Sequence, residues 1–366
     1  MLLRSFCTLL ATVALVLPLR AAEPTLAENA ALKYWKASDC LPKYTPEENK
    51  VLVEGTDKSA RMAILKKHFE SRSFCLDHLH RGAKLARCDW SLDYEEGVLM
   101  LLPHIQLCRE LARAASLRAE YEFETGNPAA AIDDLLAIWI MARHIGQENI
   151  LLPVLVQYAI EAIGVEKTAC RYLPTLTPEL RKRLTDGLAR RPEGGSPPRT
   201  MRKEKAVFLP WLRKEATGNW QKSDDVEMKK IMKSLDAKAD VGKLLDEMGT
   251  YYDRMAELAT QPYPYDDATK GYDDLMKSTP ANPFSKLVLP SFHKLMVAEA
   301  RTKVRWAMFD AALKIVADGP DAVKQTRDPH GDRPFGYRKT DAGFELESKL
   351  KYGNNLVTLL VGPKTK

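Results

Sequence analysis

The stretch from Ile105 to Val165 most constrains what this chain can fold into. Ile105, Cys108, Leu111, Ala112, Ala115 and Ala119 recur at helical spacing, and the small residues among them let a second helix come close. Thr125-Gly126-Asn127-Pro128 then breaks the pattern in the manner of a helix end followed by a new start. From Ala129 to Arg143, Ile132, Leu135, Leu136, Trp139 and Ile140 stand at i, i+3, i+4, i+7 and i+8, a full apolar stripe. Two such segments around a tight turn predict an antiparallel helical hairpin. Leu151 to Val165 is apolar on nearly every face and predicts a buried helix beside it.

The flanks extend this pattern. Ala27 to Ala37 reads as a short helix, and Thr45-Pro46-Glu47-Glu48 carries a cap, a first-turn proline and acids suited to a helix start. Ser59 to Leu85 reads as one helix, and Thr177-Pro178-Glu179 opens another that ends near Arg190. Pro192, Gly194-Gly195 and Pro197-Pro198 read as a flexible joint. Beyond it, Leu244, Met248, Tyr251, Met255 and Leu258 form a stripe, and a long helix reaches about Ala317 with Ala300, Val304, Met308 and Ile315 inward. The period then changes from helical to alternating. Phe335, Tyr337, Phe344 and Leu346 alternate with polar neighbours around Asp341-Ala342-Gly343, a β-hairpin, and Leu356 to Val361 can add a third strand. The expected fold is mainly α, antiparallel helical hairpins in a bundle with a small C-terminal β-hairpin. Its expected divisions are a signal peptide at 1–22, an N-terminal helical domain at 23–190, a linker at 191–200, a second helical region at 201–327 and a β segment at 328–366.

Compartment is read from the first residues. Arg4 precedes an uncharged run from Ser5 to Leu19, Pro18 breaks it, and Ala21-Ala22 offers small residues for cleavage, the pattern of a secretory signal peptide. Arg20 is a poor residue beside a cleavage point, so an uncleaved N-terminal anchor stands as the alternative. The chain is expected to be exported, periplasmic or envelope-associated, with no integral span after cleavage. The formal charge is +6, and losing Arg4 and Arg20 leaves +4, too mild and too scattered for a nucleic-acid partner. Arg181-Lys182-Arg183 and Arg202-Lys203 read as solvated helix faces. After Cys7, the chain keeps Cys40, Cys75, Cys88, Cys108 and Cys170, an odd set. Cys75 and Cys88 are the nearest pair for a disulfide, whereas Cys108 and Cys170 sit in helical patterns as small buried residues.

Candidate chemistry is sparse. Cys75, His78, His80 and Cys88 lack the paired spacing of a structural zinc site, and Asp328-Pro329-His330-Gly331-Asp332 is too sparse for a calcium loop. The neighbouring acids Glu95-Glu96, Asp133-Asp134, Asp266-Asp267 and Asp273-Asp274 do not share a helix face, so adjacency alone builds no acid/base pair. No nucleophile motif or phosphate loop is present, and no cofactor or metal is expected. Gln157 and Glu161 interrupt the most apolar helix at i, i+4, and a buried carboxylate needs a partner, for which Arg109, Arg113 and His144 are candidates.

Several short phrases in order carry a likeness: Asn29 to Trp35, Cys88-Asp89-Trp90, Leu101-Leu102-Pro103-His104, Arg109-Glu110-Leu111-Ala112-Arg113, the Gly126 to His144 hairpin, Asn282-Pro283-Phe284, and the tail from Asp328 to Leu346. The chain resembles an uncharacterised family of secreted, mostly helical proteins from environmental bacteria with complex envelopes. That resemblance implies export and a helical fold, and no mechanism. The Gly126 to Leu135 segment also resembles one tetratricopeptide-type unit. The tail resembles the C-terminal β segment of secretion pseudopilins, without the terminal Ser-x-Gly-x-Asp-Gly ending of that pattern.

The resulting expectation is a helical binding or scaffold protein whose partner is a protein or envelope component. Its surface would be a groove beside the Ile105 to Val165 helices. Cys88, Asp89, Trp90, Asp93, His104, Arg109, Arg113, His144, Gln157 and Glu161 are the groove candidates, with Trp90 and Tyr94 giving apolar contact. The alternative is a hydrolase-like envelope enzyme using Glu161 or Asp93 as general base. A solvent-open Glu161 near His104 or His144 would favour the enzyme, and a dry, ion-paired Glu161 the scaffold.

Overall fold

The computed structural model describes residues 28–363 apart from 56, 71–73, 219, 223–225, 236–238, 262–269, 272, 276, 278–281 and 332. The signal-like segment and the Asp266-Asp267 pair therefore lie outside the described residues. The described chain is mainly helical with a small C-terminal antiparallel sheet, as the periodicities predict.

Local chemistry sets the helix starts. Asn29 caps α1 (Ala30–Ser38), and Thr45 and Glu48 form a reciprocal capping box on α2 (Pro46–Glu54). Asp57 caps α3 (Lys58–Phe69), which is followed by α4 (Phe74–Ala83). The single helix expected from Ser59 to Leu85 is thus two. The central hairpin is α5 (Pro103–Glu124) and α6 (Pro128–Gly146). Between them Gly126 takes φ 87°, the Asn127 N–H bonds Glu122 O at 2.8 Å and the Gly126 N–H bonds Phe123 O at 3.4 Å. This is a Schellman closure, after which Pro128 stands in the first turn, where its missing N–H costs nothing.

The next helix, α7 (Leu151–Ala162), does not end at Val165. It widens into π-helical turns over Ile163–Ala169 and continues into the short α8 (Cys170–Tyr172). Thr177 caps α9 (Pro178–Ala189). Residues 191–196 are not a loose joint: Gly194 and Gly195 are buried, the Gly195 N–H bonds Gln157 Oε1 at 2.8 Å, and Pro197 already opens the next helix. That helix is α10 (Pro197–Thr217), followed by α11 (Val226–Ser234), α12 (Val241–Leu258) and α13 (Ser285–Asp318).

Two apolar clusters hold these elements. The larger joins α1, α3 to α7, α9, α13 and the sheet, with Leu111, Ile132, Leu135, Ile138 and Trp139 almost wholly buried. Each such aliphatic side chain contributes about 1.5–3 kcal/mol on burial. The second gathers Val154 and Tyr158 of α7, Met201 and Trp211 of α10, Met248 of α12 and Phe292 of α13. In α12 the inward face is turned slightly from the expected stripe: Leu245 and Tyr252 are buried while Leu244 and Tyr251 are half-buried.

The tail forms β1 (Gly336–Thr340), β2 (Gly343–Tyr352) and β3 (Asn355–Val361), antiparallel in the order β1-β2-β3. The sheet packs on α8 and α13, and the Gly362 N–H bonds Cys170 O at 2.9 Å. Buried Asp328, considered above for calcium, is structural instead. Its carboxylate accepts the Ser348 hydroxyl at 2.8 Å, the Lys349 N–H at 2.7 Å and the His330 N–H at 2.9 Å.

Candidate functional site

The ten groove candidates separate into distinct environments. Gln157 and Glu161 lie together in a closed polar set, each 1% exposed. Arg143 Nε approaches Glu161 Oε1 at 2.5 Å, Trp306 Nε1 donates to Oε2 at 2.6 Å, and Gln157 Nε2 donates to Oε1 at 3.1 Å. Arg109, Arg113 and His144 are not its partners. Arg113 instead donates to Asn49 at 2.8 Å and lies 5.9 Å from the Tyr44 ring, and Arg109 is exposed on α5. Glu161 is therefore dry and ion-paired, which removes it as a solvent-open general base.

Cys88, Trp90, His104 and His144 meet in a second buried cluster around Tyr34. The Tyr34 hydroxyl lies 2.7 Å from His144 Nδ1, and Trp90 stacks on His104 with centroids 4.6 Å apart. Among the described residues neither ring nitrogen of His104 has a hydrogen-bond partner. Burial pushes both His104 and His144 down to about 4, so both rings are neutral at physiological pH. Burial pushes the Cys88 thiol up, away from the reactive thiolate. Cys88 is a free thiol, the Cys75 side chain considered as its disulfide partner lies outside the described residues, and Cys108 and Cys170 are buried as expected. Asp89 lies at the edge of this cluster, where its carbonyl accepts Asn29 Nδ2 at 2.8 Å. Asp93 is exposed and caps the turn at Glu95. The Tyr94 hydroxyl is given to Glu148 at the rim of an open, mixed-charge depression that also holds Arg199, Arg202 and Lys203.

The cavity that stands out lies elsewhere, at the second apolar cluster. It measures about 290 Å³ and is bounded by the Tyr94–Leu99 turn, α7, α10, α12 and α13. Met201, Phe208 and Trp211 come from α10, Tyr252 from α12 and Phe292 from α13. Val98 and Leu152 also line it and are 51% and 47% exposed, while Leu99 and Leu101, beside Val98 in the chain, are 44% and 77% exposed. Val98 and Leu152 thus leave an apolar edge of the cavity open to solvent. Gly97 shapes the wall: its φ is 57°, and a Cβ there would stand 2.1 Å from the Trp211 ring.

Among the described residues one charged side chain lines this cavity. Glu204 is 6% exposed, and its Oε1 accepts the Leu151 N–H at 2.8 Å, so it satisfies an orphan donor at the start of α7. No cation among the described residues pairs with it, and Oε2 remains accessible without a hydrogen-bond partner. Burial pushes the carboxyl up to about 7, partly opposed by the Leu151 N–H. Glu204 is absent from the sequence-derived candidates because Arg202-Lys203-Glu204-Lys205 reads as a solvated run. The signal was its register: Met201, Glu204, Phe208 and Trp211 fall on one helical stripe.

Among the described residues no group of three or more His, Cys, Asp and Glu side chains is placed to hold a metal. His80 is engaged by Asp134 at 2.7 Å, within a buried Arg118–Asp134 ion pair. No described helix is long and apolar enough to cross a membrane. No protein-family model, curated protein or solved structure matches the chain.

Proposed function

We propose that the chain is an exported, envelope-associated helical binding protein that holds an apolar or amphipathic envelope component non-covalently in the cavity beside Glu204. The observation that carries this reading is the cavity itself: about 290 Å³, apolar, part-open, and edged by exposed Val98 and Leu152. Export rests on the uncharged run after Arg4 and on the likeness to secreted helical proteins. The hydrolase-like alternative has no comparable support, since Glu161 is enclosed by Arg143, Gln157 and Trp306 and Asp93 serves as a local cap.

Calorimetric titration of the purified chain with 1-decanol tests the cavity. Saturable binding is expected, weakened at least tenfold in Ser291→Leu, which adds side-chain volume to the lining. Equal binding by both proteins, or none, contradicts the reading. Cell fractionation with N-terminal sequencing tests export, for which a mature N-terminus near Ala22 is the expected result.

A further inference from the structure

The cavity also carries information about the head group of its ligand. Among the described residues its lining is apolar except for Glu204, Tyr252 and Ser291, of which Glu204 and Tyr252 are ionisable. Burial holds the Tyr252 hydroxyl neutral, so among the described lining residues Glu204 sets the charge. Capping α7 explains one carboxylate oxygen and leaves the other without a donor. A carboxylate in an apolar enclosure is unfavourable until a hydrogen-bonding cation meets it.

Resting on the binding function proposed above, we propose that the cavity takes a single-chain amphiphile with a primary amine head, its ammonium placed on the free oxygen of Glu204 and its chain among Met201, Phe208, Trp211 and Phe292. The ammonium supplies the donor that Oε2 lacks and the positive charge that no described neighbouring side chain provides. An anionic head would meet a like charge at the same point, and a hydroxyl would supply the donor without the charge. Where Glu204 is protonated before binding, the ammonium drives it to the carboxylate, and the displaced proton goes to the buffer.

The test is calorimetric titration of the full chain with decylamine, 1-decanol and decanoate, each below its micelle concentration, in two buffers of different ionisation heat at pH 7. Wild type and Glu204→Gln are compared; the amide oxygen retains the cap on Leu151 while the second acceptor and the charge are lost. Decylamine is expected to bind about tenfold tighter than decanol and more than tenfold tighter than decanoate, with proton release seen as a buffer-dependent heat. Glu204→Gln is expected to lose both the amine preference and the proton release. Equal affinity for all three probes in wild type overturns the head-group assignment and leaves the cavity reading intact. The same follows from an amine preference that survives in Glu204→Gln. Failure of every probe to bind, as when another segment or a second copy of the chain fills the cavity, overturns both.

Discussion

Glu161 on α7 and Glu204 on α10 are both nearly buried, 1% and 6% exposed, yet their surroundings differ in kind. Glu161 meets Arg143, Gln157 and Trp306, which leave it neither an unmet acceptor nor a path to solvent. Glu204 meets one backbone N–H and then an apolar space. A closed set of partners is what a carboxylate needs to survive inside a core, and it fixes how α6, α7 and α13 sit together. An open acceptor in an apolar space gains nothing from the fold and has something to offer a ligand. Burial alone therefore does not separate structure from function; the completeness of the partners does.

The largest expected effect breaks the closed side of this comparison. Glu161→Ala leaves Arg143 unpaired and the half-buried Trp306 without its acceptor, and should cost about 3–5 kcal/mol in chemical denaturation. A loss below about 1 kcal/mol would place the Arg143 pair among weak surface bridges.

Glu204 should behave in the opposite way. Its carboxyl is held up near about 7 against an ordinary 4.5, so between these values the folded state binds more protons than the unfolded state. Its contribution therefore falls as pH rises through this window and reaches its full penalty above about 7, roughly 3 kcal/mol. His104 and His144, pushed down to about 4, give the reverse slope, with stability lost as pH falls below about 6.5. Comparing wild type with Glu204→Gln cancels the histidines. The variant should gain on wild type as pH rises from about 4.5 to about 7, and a pH-independent difference would remove the buried-carboxyl account of the cavity.

Smaller effects sharpen the same contrast. Gly97→Ala should cost about 2 kcal/mol, because it forces a positive φ and a contact with Trp211, and it should weaken decanol binding along with stability. Ser348→Ala, far from the cavity, removes two contacts to Asp328 and should cost about 1 kcal/mol with decanol binding unchanged. Matching binding losses in the two variants would show that binding merely tracks stability.

The central hairpin was legible because period and punctuation agree: the Ile132 to Ile140 stripe and the Gly126-Asn127-Pro128 turn each point to the same break. The hairpin tail was legible for the same reason, from Phe344 and Leu346 alternating on β2. The partners of Glu161 were not, since Trp306 lies 145 residues away and only packing of α13 on α7 brings it close. Trp90 and His104 read as the rim of a groove because Cys88-Asp89-Trp90 sits between polar residues, whereas Trp90 stacks on Tyr34 and His104 on Trp90, which draws both rings inward. Glu204 was hidden by its charged neighbours, which point outward while its own register follows Met201 and Phe208.

Methionine methyl groups report directly on the difference between the two cores. Met100, Met201 and Met248 line the cavity, while Met141 and Met308 sit in the larger cluster beyond it. In a chain labelled with ¹³C-methyl methionine, saturating 1-decanol should shift the first three resonances and leave the last two in place. Unmoved cavity methionines, or equal shifts in both groups, would contradict a ligand site beside Glu204.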